Sequence, residues 1–93
     1  NAKQLIAYSL RIHGLVQGVF LRKSTREKAL ELGISGSVRN CDDGAVEIFA
    51  QGNEEPIKQF IEWCHQGPEG ANVEQIDIHE RPLKNFQGFI ITH

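Results

Sequence analysis

The spacing of hydrophobic positions changes several times along the chain, and each change predicts an element. Over residues 6–12, Ile6, Tyr8, Leu10 and Ile12 alternate with Ala7, Ser9 and Arg11. That period of two marks a half-buried strand. Gly14-Leu15-Val16-Gln17-Gly18-Val19 follows, too rich in glycine for a helix interior, and predicts a loop. Over residues 22–32 the spacing becomes helical, with Thr25, Ala29 and Leu32 on one face and Leu30 at its edge. Gly33 is placed to end that helix in a left-handed cap. A second strand is predicted over residues 34–40 with Val38 inward. Asp42-Asp43-Gly44 supplies a hairpin turn, and a third strand over residues 45–51 points Val46, Ile48 and Ala50 to one side.

The second half repeats the plan. Gly52-Asn53-Glu54-Glu55-Pro56 reads as a helix start, with an early proline and two acids that suit the helix dipole. Ile57, Phe60, Ile61 and Cys64 then keep the i, i+3, i+4, i+7 spacing of a buried stripe, and Gly67-Pro68 stops it. A fourth strand is predicted over Asn72–Glu80 with Ile76 and Ile78 inward. Val73 has the wrong parity for that face, which predicts a bulge near its start. Residues 81–83 form a turn and residues 86–92 a short last strand. The order β-α-β-β-α-β, with right-handed crossovers, predicts an α+β chain. It is a ferredoxin-like α/β sandwich, an antiparallel sheet with two helices on one face and a short C-terminal strand. That architecture hosts enzymes, RNA binders and metal carriers, so it leaves function open.

Composition narrows the classes. The 93 residues, 40% of them hydrophobic and 24% charged, suit one folded domain over residues 1–93 rather than a disordered chain. No run approaches the ~18 apolar residues of a membrane span. Residues 1–7 lack the pattern of a secretion signal. Cys41 and Cys64 are too few for a disulfide framework and are expected as reduced thiols in a cytoplasmic protein. No Cys or His pair has zinc-ligand spacing, so no metal is expected.

A net charge of -2 argues against a general nucleic-acid binder. The sheet is also expected to lack an aromatic pair on a basic face. The charge is unevenly spread. Residues 11–39 hold Arg11, Arg22, Lys23, Arg26, Lys28 and Arg39 against Glu27 and Glu31, whereas residues 42–80 hold ten carboxylates against Lys58. Solvated faces account for this, and so does a small anion site in the first half on a body that repels larger polyanions.

Chemistry concentrates where the first strand meets the first helix. A helix start leaves backbone N–H groups without intrahelical partners, and two glycines let the preceding backbone curl so that such groups converge on an anion. Phosphate or sulfate is the natural occupant. Arg22 closes the segment, and its planar fork can hold two phosphate oxygens. The segment is neither a Walker loop nor a dinucleotide-binding loop.

His13-Gly14-Leu15-Val16-Gln17-Gly18-Val19-Phe20-Leu21-Arg22 resembles the signature of the acylphosphatase family. Gly36-Ser37-Val38-Arg39-Asn40-Cys41-Asp42-Asp43-Gly44-Ala45-Val46, with Gly52 beyond it, resembles a second motif of that family, in the right order. The resemblance covers essentially the whole chain. Leu21 departs from the usual Phe or Met and Ser37 from the usual aromatic residue. Both departures bear on packing near the site and on the shape of the acyl-group pocket.

The resemblance implies hydrolysis of carboxyl–phosphate anhydrides to carboxylate and inorganic phosphate, without metal or organic cofactor. It implies a phosphate-binding loop of Gln17, Gly18, Val19, Phe20, Leu21 and Arg22, with Arg22 and Asn40 catalytic and Asn40 holding the attacking water. The small-molecule partner is an acyl phosphate. A monomer is expected, with no nucleic-acid or membrane partner. The alternatives are a non-catalytic, phosphate-binding regulatory module of the same fold and the acylphosphatase-like part of a larger carbamoyl-transfer protein. Retention of Arg22 and Asn40 argues against the first, and a chain ending at His93 without zinc-type Cys pairs argues against the second.

The chemistry of the residues agrees with that implication. A carboxylate with a pKa of ~4 leaves without a general acid. The loop holds no Asp, Glu, Cys or Ser to act as nucleophile or base, and Asn40 takes no proton near neutrality. Positioning and electrostatic stabilisation remain, with a substrate phosphate oxygen as the nearest proton acceptor. Ser24 and Thr25 are expected to cap or pack the first helix, with Thr25 supporting the loop by a hydrogen bond. His13 and Cys41 are expected as bystanders at a strand end and a turn, Cys64 in the core, and Trp63 at the edge of the second helix's stripe.

Overall fold

The computed structural model describes residues 5–18 and 20–92. Its elements are β1 (Leu5–Leu15), α1 (Leu21–Leu32), β2 (Ser35–Asn40), β3 (Val46–Asn53), α2 (Glu54–Gln66), β4 (Asn72–Glu80) and β5 (Phe89–Ile91). They form one five-stranded sheet in the order β4-β1-β3-β2-β5. The ferredoxin-like sandwich predicted from the hydrophobic pattern is therefore present. The four long strands pair antiparallel, but β5 runs parallel to β2, with Ser37 opposite Ile90. The sheet is thus mixed rather than wholly antiparallel, because the chain crosses over to the far edge before β5 pairs.

Alternation sets the two faces. Leu10 lies opposite Ile48, and Ile12 opposite Val46. With Val38 these side chains are fully buried beneath Ile57, Phe60 and Cys64 of α2 and Ala29 of α1. Each large apolar side chain so buried contributes about 1.5–3 kcal/mol. Gly33 closes α1 in the left-handed region (φ 73°), its N–H donating to the carbonyls of Ala29 and Leu30. The predicted bulge is also found. Pairing of β1 with β4 shifts between His13 and Gly14, so that Gln75 faces His13 and Val73 faces Gly14. Gly14 (φ 130°) and Gly36 (φ 148°) are needed there and in β2, since a Cβ would overlap the carbonyl oxygens of Asn72 and Phe49 respectively. Ile78 is only partly covered, 38% exposed, because β4 is an edge strand with β1 as its one neighbour.

Residues 81–88 return over the open face of the sheet instead of making a tight turn. The Arg81 N–H donates to the Ala7 carbonyl. Gln51 and Lys84 exchange two hydrogen bonds, both 2.8 Å. Phe86 stacks on Phe49 with ring centroids 5.2 Å apart, and the Lys84 ammonium lies over the Phe49 ring. The open face thus carries an aromatic pair beside cations, contrary to the sequence-based expectation. Phe86 leaves Phe49 only 9% exposed, so the pair packs on itself and offers no free stacking surface. Among the described residues no helix is long and apolar enough to cross a membrane.

Candidate active site

The loop between β1 and α1 is curled by two left-handed residues close together, Gly18 (φ 75°) and Phe20 (φ 59°). Phe20 is the N-cap of α1, and its carbonyl accepts the Ser24 N–H at 3.0 Å. The helical ladder therefore begins beyond the N–H groups of Phe20, Leu21 and Arg22. No side chain caps them, and the first turn holds no acid. A left-handed backbone at a residue with a Cβ costs about 1 kcal/mol, and it is spent where uncapped donors and the positive end of a helix dipole favour an anion.

A second feature brings the two sequence motifs together. The Gln17 Nε2 donates to the Cys41 carbonyl at 2.8 Å and to the Ala45 carbonyl at 2.9 Å. This side chain straps the loop to the β2–β3 turn, beside Asn40 at the end of β2. The turn is itself closed by the Cys41 N–H on Ala45 and the Gly44 N–H on Cys41. Sequence reasoning assigned Gln17 only a backbone amide in the loop. The signal for its side-chain role is a long two-donor group between glycines.

The result is a cavity of about 530 Å³ whose lining includes Gly18, Phe20, Leu21, Arg22 and Asn40. Arg22 and Asn40, from separate motifs, therefore share one space. Val16 and Ile91 add apolar wall, and Lys23 stands beside Arg22. No carboxylate, imidazole or thiol lines it among the described residues. Arg22 and Asn40 are half-buried, whereas Lys23 is exposed and Phe20 is 80% exposed at the mouth. The expected loop member Val19 lies outside the described residues. Leu21 is 2% exposed, so its side chain serves the core below the loop.

Ser37 alternates with Val38 and faces the other side of the sheet. There it lines a separate cavity of about 310 Å³ with Arg81 and Lys84. The expectation that Ser37 shapes the acyl-group pocket is therefore corrected: strand parity puts it on the opposite face. Thr25 is fully buried under α1, but its Oγ1 has no hydrogen-bond partner, so it packs rather than bracing the loop. His13 Nε2 lies 3.0 Å from an Asp77 carboxylate oxygen, away from the cavity. Cys64 is buried in the core, and burial pushes its thiol up to about 12. Trp63 is half-buried and stacks on Phe60.

Comparison with known proteins settles the family. The acylphosphatase family model matches residues 8–91. The chain belongs to the acylphosphatase family. It is 49% identical over 84 residues to an acylphosphatase of Acidovorax sp. (strain JS42), covering 90% of this chain and 87% of that one. It superposes on the structure of an acylphosphatase from Coxiella burnetii with a TM-score of 0.91 at 34% identity, covering 95% of this chain and 93% of the other. The Bacillus subtilis acylphosphatase crystal structure gives the same TM-score and identity, covering 97% and 100%. The protein is an enzyme with acylphosphatase activity.

Removing the strap is expected to slow this acylphosphatase without unfolding it. Gln17→Ala deletes two hydrogen bonds, about 1–2 kcal/mol of stability in all, and releases the loop from the turn. A misplacement of about 1 Å can cost roughly a hundredfold in rate, so kcat on benzoyl phosphate should fall about 10- to 100-fold. Steady-state kinetics beside circular dichroism measures both. An unchanged kcat would show that the strap does not set the geometry.

Proposed function

We propose that residues 1–93 act as one catalytic domain, monomeric and cytoplasmic, that hydrolyses acyl phosphates without a metal. The observation that carries this reading is the single cavity shared by Arg22, Asn40 and the uncapped start of α1. The phosphoryl group sits against the loop amides, with two of its oxygens in the Arg22 fork. The Asn40 side-chain carbonyl accepts one proton of a water and so aims the water's oxygen at phosphorus, opposite the carboxylate. As that oxygen bonds to phosphorus, the bridging P–O bond breaks and its electron pair leaves with the carboxylate. One water proton passes to a non-bridging phosphate oxygen, giving dihydrogen phosphate. Among the described residues the lining supplies no group to take that proton, which supports transfer to the substrate itself. The amides and guanidinium stabilise the charge spreading over the equatorial oxygens.

The donor set supports metal independence, since the guanidinium and amide N–H groups face a phosphate directly and cannot ligate a cation, and a single carboxamide oxygen falls far short of the roughly six oxygens a hard cation takes. The unpaired thiols of Cys41 and Cys64 support a reducing compartment. All proposed groups come from one chain, which supports action as a monomer. The deciding assay follows benzoyl phosphate with and without EDTA. Turnover should be unchanged by chelation, and inorganic phosphate or sulfate should inhibit competitively. Loss of turnover on chelation, restored by a divalent ion, would contradict the mechanism.

A further inference from the structure

We infer that Lys23 is a specificity residue that favours acyl phosphates carrying a second negative charge at the far end of the acyl group. The inference rests on the catalytic reading above and names the substrate class of the same site. Of the six cations in residues 11–39, four are engaged elsewhere. Arg11 pairs with Asp43 at 2.8 Å, Arg39 with Glu47, and Lys28 with Glu31 at 3.3 Å. Arg26 donates its Nε–H to the Phe89 carbonyl. Only Arg22 and Lys23 of this group line the cavity, and no carboxylate lines it with them among the described residues. Glu27 lies one turn along α1 but makes no ion pair with Lys23. That order, cation before acid at i, i+4, is the weaker one.

The phosphoryl dianion has the Arg22 guanidinium and the uncapped helix start as its proposed partners. Lys23 has a different place in the cavity. Arg22 and Asn40 are half-buried, while Lys23 and Phe20 are exposed. With the phosphoryl group held against the half-buried Arg22, an acyl chain leaving the cavity passes its exposed lining, where Phe20 and Lys23 stand. A cavity of about 530 Å³ leaves room for a chain of several atoms beyond the phosphoryl group. A carboxylate or second phosphate at its end would meet the free ammonium.

Butyryl and succinyl phosphates test this, because they are nearly the same size and differ by a terminal methyl against a carboxylate. The wild-type protein should favour succinyl phosphate about threefold in kcat/KM at low salt, the scale of an exposed ion pair. The preference should fade as ionic strength rises. Lys23→Gln should remove that preference, and Lys23→Glu should shift the succinyl-to-butyryl ratio about tenfold against succinyl phosphate. A ratio unmoved by either substitution would overturn the inference. So would equal losses on both substrates, which would mean that Lys23 serves the phosphoryl group. Absence of turnover on both substrates in the wild type would overturn the catalytic reading itself and the specificity assignment with it.

Discussion

Arg22→Ala is expected to lower kcat/KM for benzoyl phosphate by about 10²–10⁴. The guanidinium would make two charge-assisted hydrogen bonds to the phosphoryl oxygens, each about 1.5–3 kcal/mol, and 1.4 kcal/mol is a factor of ten. The contact is present when substrate binds and strengthens as charge spreads in the transition state, so KM should rise while kcat falls. Competitive inhibition by inorganic phosphate should weaken in parallel. Arg22→Lys should recover only part of the loss, because an ammonium lacks the planar fork. Arg22 is half-buried at a helix start, so the variant should fold, which circular dichroism checks. Full activity in Arg22→Ala would remove the central contact of the proposed mechanism.

Asn40→Ala should separate rate from binding. Loss of one preorganised hydrogen-bonding group at a reacting centre costs about 10²–10³ in kcat. Asn40 is assigned to the water rather than to the phosphoryl group, so phosphate inhibition should stay within about twofold of wild type. Asn40 ends β2 next to a turn closed by backbone hydrogen bonds, and truncating its side chain leaves those bonds in place. A variant that keeps its kcat would disprove the water-positioning role. A variant that loses phosphate binding as strongly as rate would move Asn40 into the phosphoryl cradle.

Much of the architecture was legible because the core is made by periodicity. Leu10, Ile12, Val46 and Ile48 alternate in the sequence and meet in the sheet. The parity of Val73 marked a bulge before any pairing was known. What escaped detection depends on neighbours distant in sequence. Nothing local says that β5 lies parallel beside β2, or that residues 81–88 lie back over Phe49. Ile78 looks inward by alternation, and only the edge position of β4 exposes it. The site divides in the same way. Arg22 and Asn40 were readable from two motifs, but their shared cavity depends on the Gln17 side chain reaching carbonyls more than twenty residues away. Ser37 is linked to the acyl-group pocket by its departure from the family's usual aromatic residue, and strand parity puts it on the other face.

The position of β1 between β3 and β4 also bears on how the molecule is assembled. Tyr8 is opposite both Ala50 and Glu80, so this interior strand finds both its partners only after most of the chain has been brought back on itself. Closing loops of that length costs entropy before any contact repays it. The strand that ends in the anion-gripping segment is thus stitched in by the most remote pairings in the molecule. Folding should be correspondingly unhurried, and a fragment lacking β3 and β4 would have no scaffold on which to hold that segment in shape.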